Sequence, residues 1–173
     1  GAEVDRLRDV TEEYLQFARL PKPELEETDV IQLVNNVVQF LEPEMNKHEI
    51  ELRVTDEGQF IKGMVDSNQI RQALLNLIRN SKEALADGGG QILIHIKHLN
   101  SDYFVIRIED SGPGVPFEVQ PHIFEAFYST KPSGTGMGLS LVQQIVTEHG
   151  GSIRCQRSAA LGGANFVLTF PNV

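Results

Sequence analysis

At 173 residues the chain has room for one domain and a short appendage, and its 40% apolar share supplies one core at that size. A net charge of −9, with no block of Lys or Arg, excludes nucleic acid or an anionic membrane as the principal partner. Apolar runs far short of a bilayer span and a single cysteine, Cys155, exclude a transmembrane helix and a disulfide framework, and point to a reduced, cytoplasmic setting.

Residues 3–20 read as a helix, with Val4, Leu7, Tyr14 and Ala18 near a heptad seam. So short and apolar a helix needs a partner, so the chain is expected to be part of a longer protein. Pro21-Lys-Pro23 ends it and forms a stiff hinge. Asp29 caps a second helix whose Val30, Leu33, Val34, Val37 and Leu41 face inward. Alternation over 49–54 gives a strand, and Asp56-Glu-Gly58 turns the chain into another near 60–64. Asp66 with Gln69 resembles a capping box for a helix running to about Ala86, stopped by Asp87 and three glycines. Strands at 91–98 and 103–110 are joined by Asn100-Ser-Asp102 as a hairpin. A segment rich in Gly, Pro and Ser follows, then a helix at 138–149 and two strands at 152–157 and 164–170. These elements make an α+β, two-layer sandwich, with a mixed, mostly antiparallel sheet against helices.

Three groups of residues carry chemistry. In the helix 67–86, Ile70, Ala73, Leu74, Leu77 and Ile78 form a buried stripe, and Asn76 and Asn80 share a face flanking it. Paired amide oxygens at the rim of a core suit Mg²⁺, which takes the rest of its shell from water and phosphate. Taken alone, such asparagines can equally decorate a helix. Asp110 continues the parity of Phe104, Ile106 and Ile108, so it points inward while Glu109 points away. An inward acid before Ser-Gly-Pro-Gly114 must find donors, and an adenine amine is one; a turn-capping role is the competing reading. Gly134, Gly136 and Gly138 leave the backbone bare just ahead of a helix N-terminus, a setting for phosphates. The series lacks the Gly-Lys-Ser/Thr ending of a P-loop, and no parallel βαβ unit surrounds it. Between the glycine clusters, Phe117, Phe124, Phe127 and Tyr128 mark a lid or docking surface, and Lys131 is a candidate phosphate contact or a solvated lysine. Together the groups match the base, metal and phosphates of ATP.

With those residues placed, the chain resembles the catalytic and ATP-binding domain of bacterial sensor histidine kinases, of the GHKL superfamily, close to the nitrogen-regulation branch. The resemblance runs from about residue 28 onward. Asn76-Leu-Ile-Arg-Asn80 looks like the N box and Asp110-Ser-Gly-Pro-Gly114 like the first G box. Ile123-Phe-Glu-Ala-Phe127 looks like the F box, and Gly134–Gly138 like the second G box. The resemblance implies Asn80 on Mg²⁺ with Asn76 beside it, Asp110 on adenine, and Gly112 and Gly114 shaping the pocket. It implies Gly134, Thr135, Gly136, Gly138 and Leu139 at the phosphates, with Lys131 and Phe127 from the lid, and it places a hydroxyl, Thr169, near adenine. Many relatives carry Lys and Tyr third and fourth after the second N-box asparagine, where this chain has Glu83 and Ala84.

The implied cofactors are ATP and Mg²⁺, and the implied reaction is transfer of the γ-phosphoryl to a histidine on a separate helical domain. Residues 1–23 would be the end of that dimerisation and phosphotransfer domain together with a hinge, and 24–173 the catalytic domain. The implied partners are that helical domain and the receiver domain of a response regulator. The full-length protein is expected to be a homodimer, with inner-membrane anchoring open. Two alternatives stay open at this point. A GHKL-type ATP hydrolase would place a glutamate four residues before the metal asparagine, where this chain has Asn76. A nucleotide-binding module without transfer activity is the other.

Overall fold

A computed structural model describes residues 20–58, 60–85, 88–125 and 138–173. The expected helix at 3–20 therefore lies outside the described residues, apart from Leu20.

The first element is a short strand, β1 (Glu26–Asp29), followed by helix α1 (Val30–Lys47). Asp29 caps that helix, its Oδ1 accepting from the Gln32 N–H at 3.1 Å. Strand β2 (Ile50–Asp56), strand β3 (Lys62–Val65) and helix α2 (Ser67–Leu85) come next. They are followed by the hairpin β4 (Gly90–His98) and β5 (Tyr103–Asp110). Asn100 tightens the hairpin turn, its Oδ1 accepting from the N–H groups of Asp102 and Tyr103. A 3₁₀ turn at Gln120–His122, helix α3 (Gly138–Glu148) and strands β6 (Ser152–Arg157) and β7 (Ala164–Pro171) complete the described elements.

Five strands form one sheet in the order β2-β4-β5-β7-β6, with β2 parallel to β4 and the other pairs antiparallel. The 60–64 strand does not return beside β2. It pairs instead with β1 in a separate antiparallel ribbon, Glu26 opposite Val65 and Asp29 opposite Lys62. Glu26-Glu-Thr-Asp29 shows no apolar alternation, which is why the sequence gives no sign of this strand; its backbone pairing alone defines it.

The core lies between one face of the sheet and the helices. Ile92, Ile94 and Ile96 of β4, Phe104, Ile106 and Ile108 of β5, and Phe166, Leu168 and Phe170 of β7 belong to one buried cluster. The register sets Ile94 opposite Ile108 and Ile106 opposite Leu168, and stacks Phe104 on Phe170 with ring centroids 5.5 Å apart. Ile70, Ala73, Leu74, Leu77 and Ile78 of α2 and Leu141, Val142, Ile145 and Val146 of α3 join that cluster, as do the inward residues of α1. Burying side chains of this size stabilises the fold by about 1.5–3 kcal/mol each before entropy is counted. The strand parity therefore decides what faces the helices and what does not.

Candidate nucleotide-binding site

Asp110 ends β5 on the core side and is only 1% exposed. Its Oδ1 accepts from the Gly112 N–H at 3.0 Å and from the Ala164 N–H at 3.2 Å. The carboxylate thus meets both its own turn and the start of β7. Its backbone oxygen accepts from the Gly163 N–H. A Cβ at Gly163 would collide with that same carboxylate and with the Gly112 nitrogen, so only glycine fits. Gly112 in turn lies against the Ala84 carbonyl of α2, where an added Cβ would come within 3.2 Å. The acid is thereby brought next to the last turn of the helix that carries the asparagines.

Asn76 and Asn80 lie on α2, both half-buried, at the edge of the stripe formed by Ala73, Leu77 and their neighbours. Helices α2 and α3 pack side by side, so the asparagines and the N-terminus of α3 belong to adjoining elements. Gly138 opens α3 and Leu139 packs on the margin of the core. A Cβ at Gly138 would meet nothing within 4 Å among the described residues. Gly114 adopts φ +78°, a left-handed conformation that favours glycine, and lies against Gly163 of the turn before β7. Ile123 and Phe124 are buried, with Phe124 edge-on to Phe166 at 6.3 Å, so this part of the aromatic segment is rooted in the core. Phe117 is 82% exposed. Phe127, Lys131, Gly134, Thr135 and Gly136 lie outside the described residues.

Thr169 requires correction. It pairs with Val105 and Ser152 and alternates with Leu168 and Phe170, which are in the core. It therefore points to the opposite face of the sheet from Asp110 and lies toward the far end of β7. A one-residue shift in parity flips a side chain to the other face, so position within a strand does not suffice to assign it. The β7 residue beside Asp110 is Ala164, which contributes its N–H rather than a hydroxyl.

Other participants were silent in the sequence. Ser158 is 1% exposed and joins Glu109 to the turn before β7, its hydroxyl donating to Glu109 Oε1 at 3.0 Å and accepting from the Leu161 N–H at 2.9 Å. Leu161-Gly-Gly163 was the only available signal, and it marks a turn without naming its anchor. Cys155 stands on the core side of β6, where burial, and secondarily the charge of Asp110, push its thiol up to about 12.

A family model described as histidine kinase-, DNA gyrase B-, and HSP90-like ATPase matches residues 65–173. The chain belongs to this family. Among individual members, the sensor histidine kinase ZraS of Escherichia coli O157:H7 is 34% identical over 170 residues, covering 98% of this chain and 36% of ZraS. The chain thus spans about a third of the length of the curated ZraS relatives it matches. Full-length ShkA, solved in complex with AMPPNP, superposes with a TM-score of 0.85 at 26% identity, covering 98% of this chain and 36% of ShkA. Histidine kinase ThkA, solved in complex with response regulator protein TrrA, gives 0.83 at 26% identity, covering 99% of this chain and 48% of that one. Within the family the chain corresponds to the catalytic, ATP-binding domain of sensor histidine kinases, and the helices and mixed sheet of the described residues are that domain's α+β fold. Among the described residues, no helix is long and apolar enough to cross a membrane.

Proposed function

We propose that the chain binds Mg-ATP and transfers the γ-phosphoryl to a histidine on a helical dimerisation and phosphotransfer domain, from which the receiver of a response regulator takes it. Residues 1–23 belong on this reading to that helical domain and its hinge, residues 24–173 to a catalytic domain on the cytoplasmic side, and the complete kinase is a homodimer. The observation that carries the reading is Asp110. A carboxylate 1% exposed, held from one side by Gly112 and Ala164, at the end of a strand abutting the asparagine helix, suits a purine amine.

Asn80 and Asn76 supply neutral oxygen donors on the adjoining helix, a set that fits Mg²⁺ arriving with phosphates better than a bare ion. The metal, when bound, neutralises charge on the phosphate oxygens. The N–H groups at the start of α3, where Gly138 carries no side chain, suit close approach of a phosphate. Gly134, Thr135 and Gly136 extend that cradle on this reading, with Lys131 and Phe127 as contacts from the lid. In the transfer, the bond from the γ-phosphorus to its bridging oxygen breaks, a phosphorus–nitrogen bond forms, and ADP departs with the electron pair. Positioning and charge stabilisation suffice for this step. Transfer is favoured over hydrolysis because Asn76 stands where a water-activating acid would be needed, and an amide is no general base.

Calorimetry of the chain with Mg-ATP, and incubation with a separately produced acceptor-helix domain and radiolabelled ATP, test the reading. Saturable binding and label on histidine are expected. Asp110→Asn should weaken ATP about tenfold or more, the cost of misplacing a charged hydrogen bond. Unaltered affinity in that variant would remove the adenine assignment.

A further inference from the structure

Asp110 and Glu109 are consecutive, and both are buried although they point to opposite faces of the sheet. The mechanism above uses only the first. Glu109 Oε1 accepts from the Ser158 hydroxyl at 3.0 Å, and the Ser158 oxygen accepts from the Leu161 N–H. The backbone of Ser158 closes the same turn twice more: its N–H donates to the Gly163 carbonyl at 2.7 Å, and its carbonyl accepts from the Gly162 N–H at 2.9 Å. The turn then delivers the Gly163 N–H to the Asp110 carbonyl and the Ala164 N–H to Asp110 Oδ1. A closed ring of hydrogen bonds therefore runs from Glu109 through Ser158 and the turn back to Asp110, passing from one face of the sheet to the other.

We propose that Glu109 and Ser158 are positioning residues that set base selectivity by fixing the turn against which the Asp110 carboxylate is aimed. The inference rests on the adenine assignment of Asp110. The Asp110 Oδ1 accepts from two N–H donors, one local at Gly112 and one from Ala164. Only the second depends on where the turn sits. At Gly163 the turn lies so close to the carboxylate that no side chain fits between them, so a displacement of the turn is transmitted directly to the acid. Ser158 ties that turn to β5 on the outer face, one residue from Asp110. Neither Glu109 nor Ser158 needs to touch the nucleotide. They act on how well the site distinguishes a purine bearing the exocyclic amine from one bearing an oxygen there.

The test is ATP and GTP affinity, each with Mg²⁺, measured by calorimetry on the complete chain and on Ser158→Ala, Glu109→Ala and Glu109→Gln. Both alanine variants should lose about fivefold in ATP-over-GTP preference, the scale of one hydrogen bond. Glu109→Gln keeps an oxygen for the Ser158 hydroxyl and should hold the preference within about twofold of the parent. Faster amide exchange at Ala164 without nucleotide should accompany the two alanine changes and not the glutamine change. If Ser158→Ala does not fold, the Glu109 pair decides alone. A preference unchanged in a folded Glu109→Ala, or equally reduced in Glu109→Gln, overturns the proposal. Failure of the parent chain to bind ATP overturns instead the adenine assignment beneath it.

Discussion

Single side chains in this pocket owe their roles to parity and burial more than to chemical type. Asp110 and Glu109 share a functional group, and Thr169 has the hydroxyl that the family resemblance asked for, yet the face each occupies separates them. Cys155 shows the same principle in a group that looks reactive. Burial, and then the neighbouring Asp110 charge, raise its thiol from the ordinary 9.0 to about 12, so at neutral pH it is protonated and a poor nucleophile. Iodoacetamide at pH 8 should leave the native chain unlabelled and label it fully once unfolded. The shift also couples folding to pH. The unfolded thiol loses its proton near 9.0 while the folded one keeps it to about 12. This contribution is therefore constant below pH 9 and declines as pH rises between the two values. Urea midpoints at pH 8 and pH 10 should fall further apart for the parent chain than for Cys155→Ala. Equal losses would mean that the thiol titrates normally.

At the level of elements, the segment Leu20–Glu24 is held rather than swinging free. The Gln69 side chain donates to the Pro21 carbonyl at 2.8 Å, and the Glu24 N–H donates to Asp66 Oδ2 at 3.0 Å. The expected capping box at Asp66 is thus only half made. Asp66 Oδ1 accepts from the Gln69 N–H, but the glutamine side chain turns to the linker instead of back to the cap. The Asp66 N–H donates to His149 Nε2 at 3.0 Å, while His149 Nδ1 faces the Ile145 carbonyl at 2.7 Å. Since a carbonyl only accepts, Nδ1 is the donor to Ile145 and Nε2 the acceptor from Asp66. One buried histidine therefore braces α3 against the start of α2. Burial raises the Asp66 carboxyl, but the backbone donors at Glu24, Gln69 and Asn68 more than offset it and hold it below the usual value. Its stabilising contribution is complete above the unfolded value of 3.8 and is lost as pH falls through the lower folded value. Asp66→Ala should cost about 1–2 kcal/mol in urea denaturation, as the loss of a helix cap does. It should also accelerate amide exchange at Glu24 while leaving nucleotide affinity alone. An unaltered Glu24 exchange rate would show that the linker is anchored elsewhere.

Across the described residues, the helices and most of the sheet were legible because apolar residues recur at 3.6 and 2. The runs Ile92-Ile94-Ile96 and Phe104-Ile106-Ile108 announce both their strands and the face that each buries. What stayed hidden was set by partners distant in sequence. The strand Glu26–Asp29 exists only through pairing with Lys62–Val65, and the Glu109–Ser158 bond spans 49 positions. The inward placement of Asp110 was readable from parity, whereas its donor at Ala164 required the β5–β7 register. That distribution has a thermodynamic consequence. The proposed site draws on β5, α2, the turn before β7 and the start of α3, elements that are all anchored in one core. A ligand touching them together binds the folded chain and not the unfolded one. Mg-ATP at about a hundred times its dissociation constant should then add about 2.7 kcal/mol to stability. For a chain of this length that corresponds to a rise of about 5–10 °C in melting temperature. Mg²⁺ alone should give no rise, because a neutral amide is a weak site without phosphate oxygens to complete the shell. Asn80→Ala should shrink the rise with Mg-ATP toward that with ATP in EDTA, since the loss falls on the metal-dependent part of binding. A melt in which Asn80→Ala keeps the full Mg²⁺-dependent rise would take the metal away from Asn80 while leaving the base pocket at Asp110 intact.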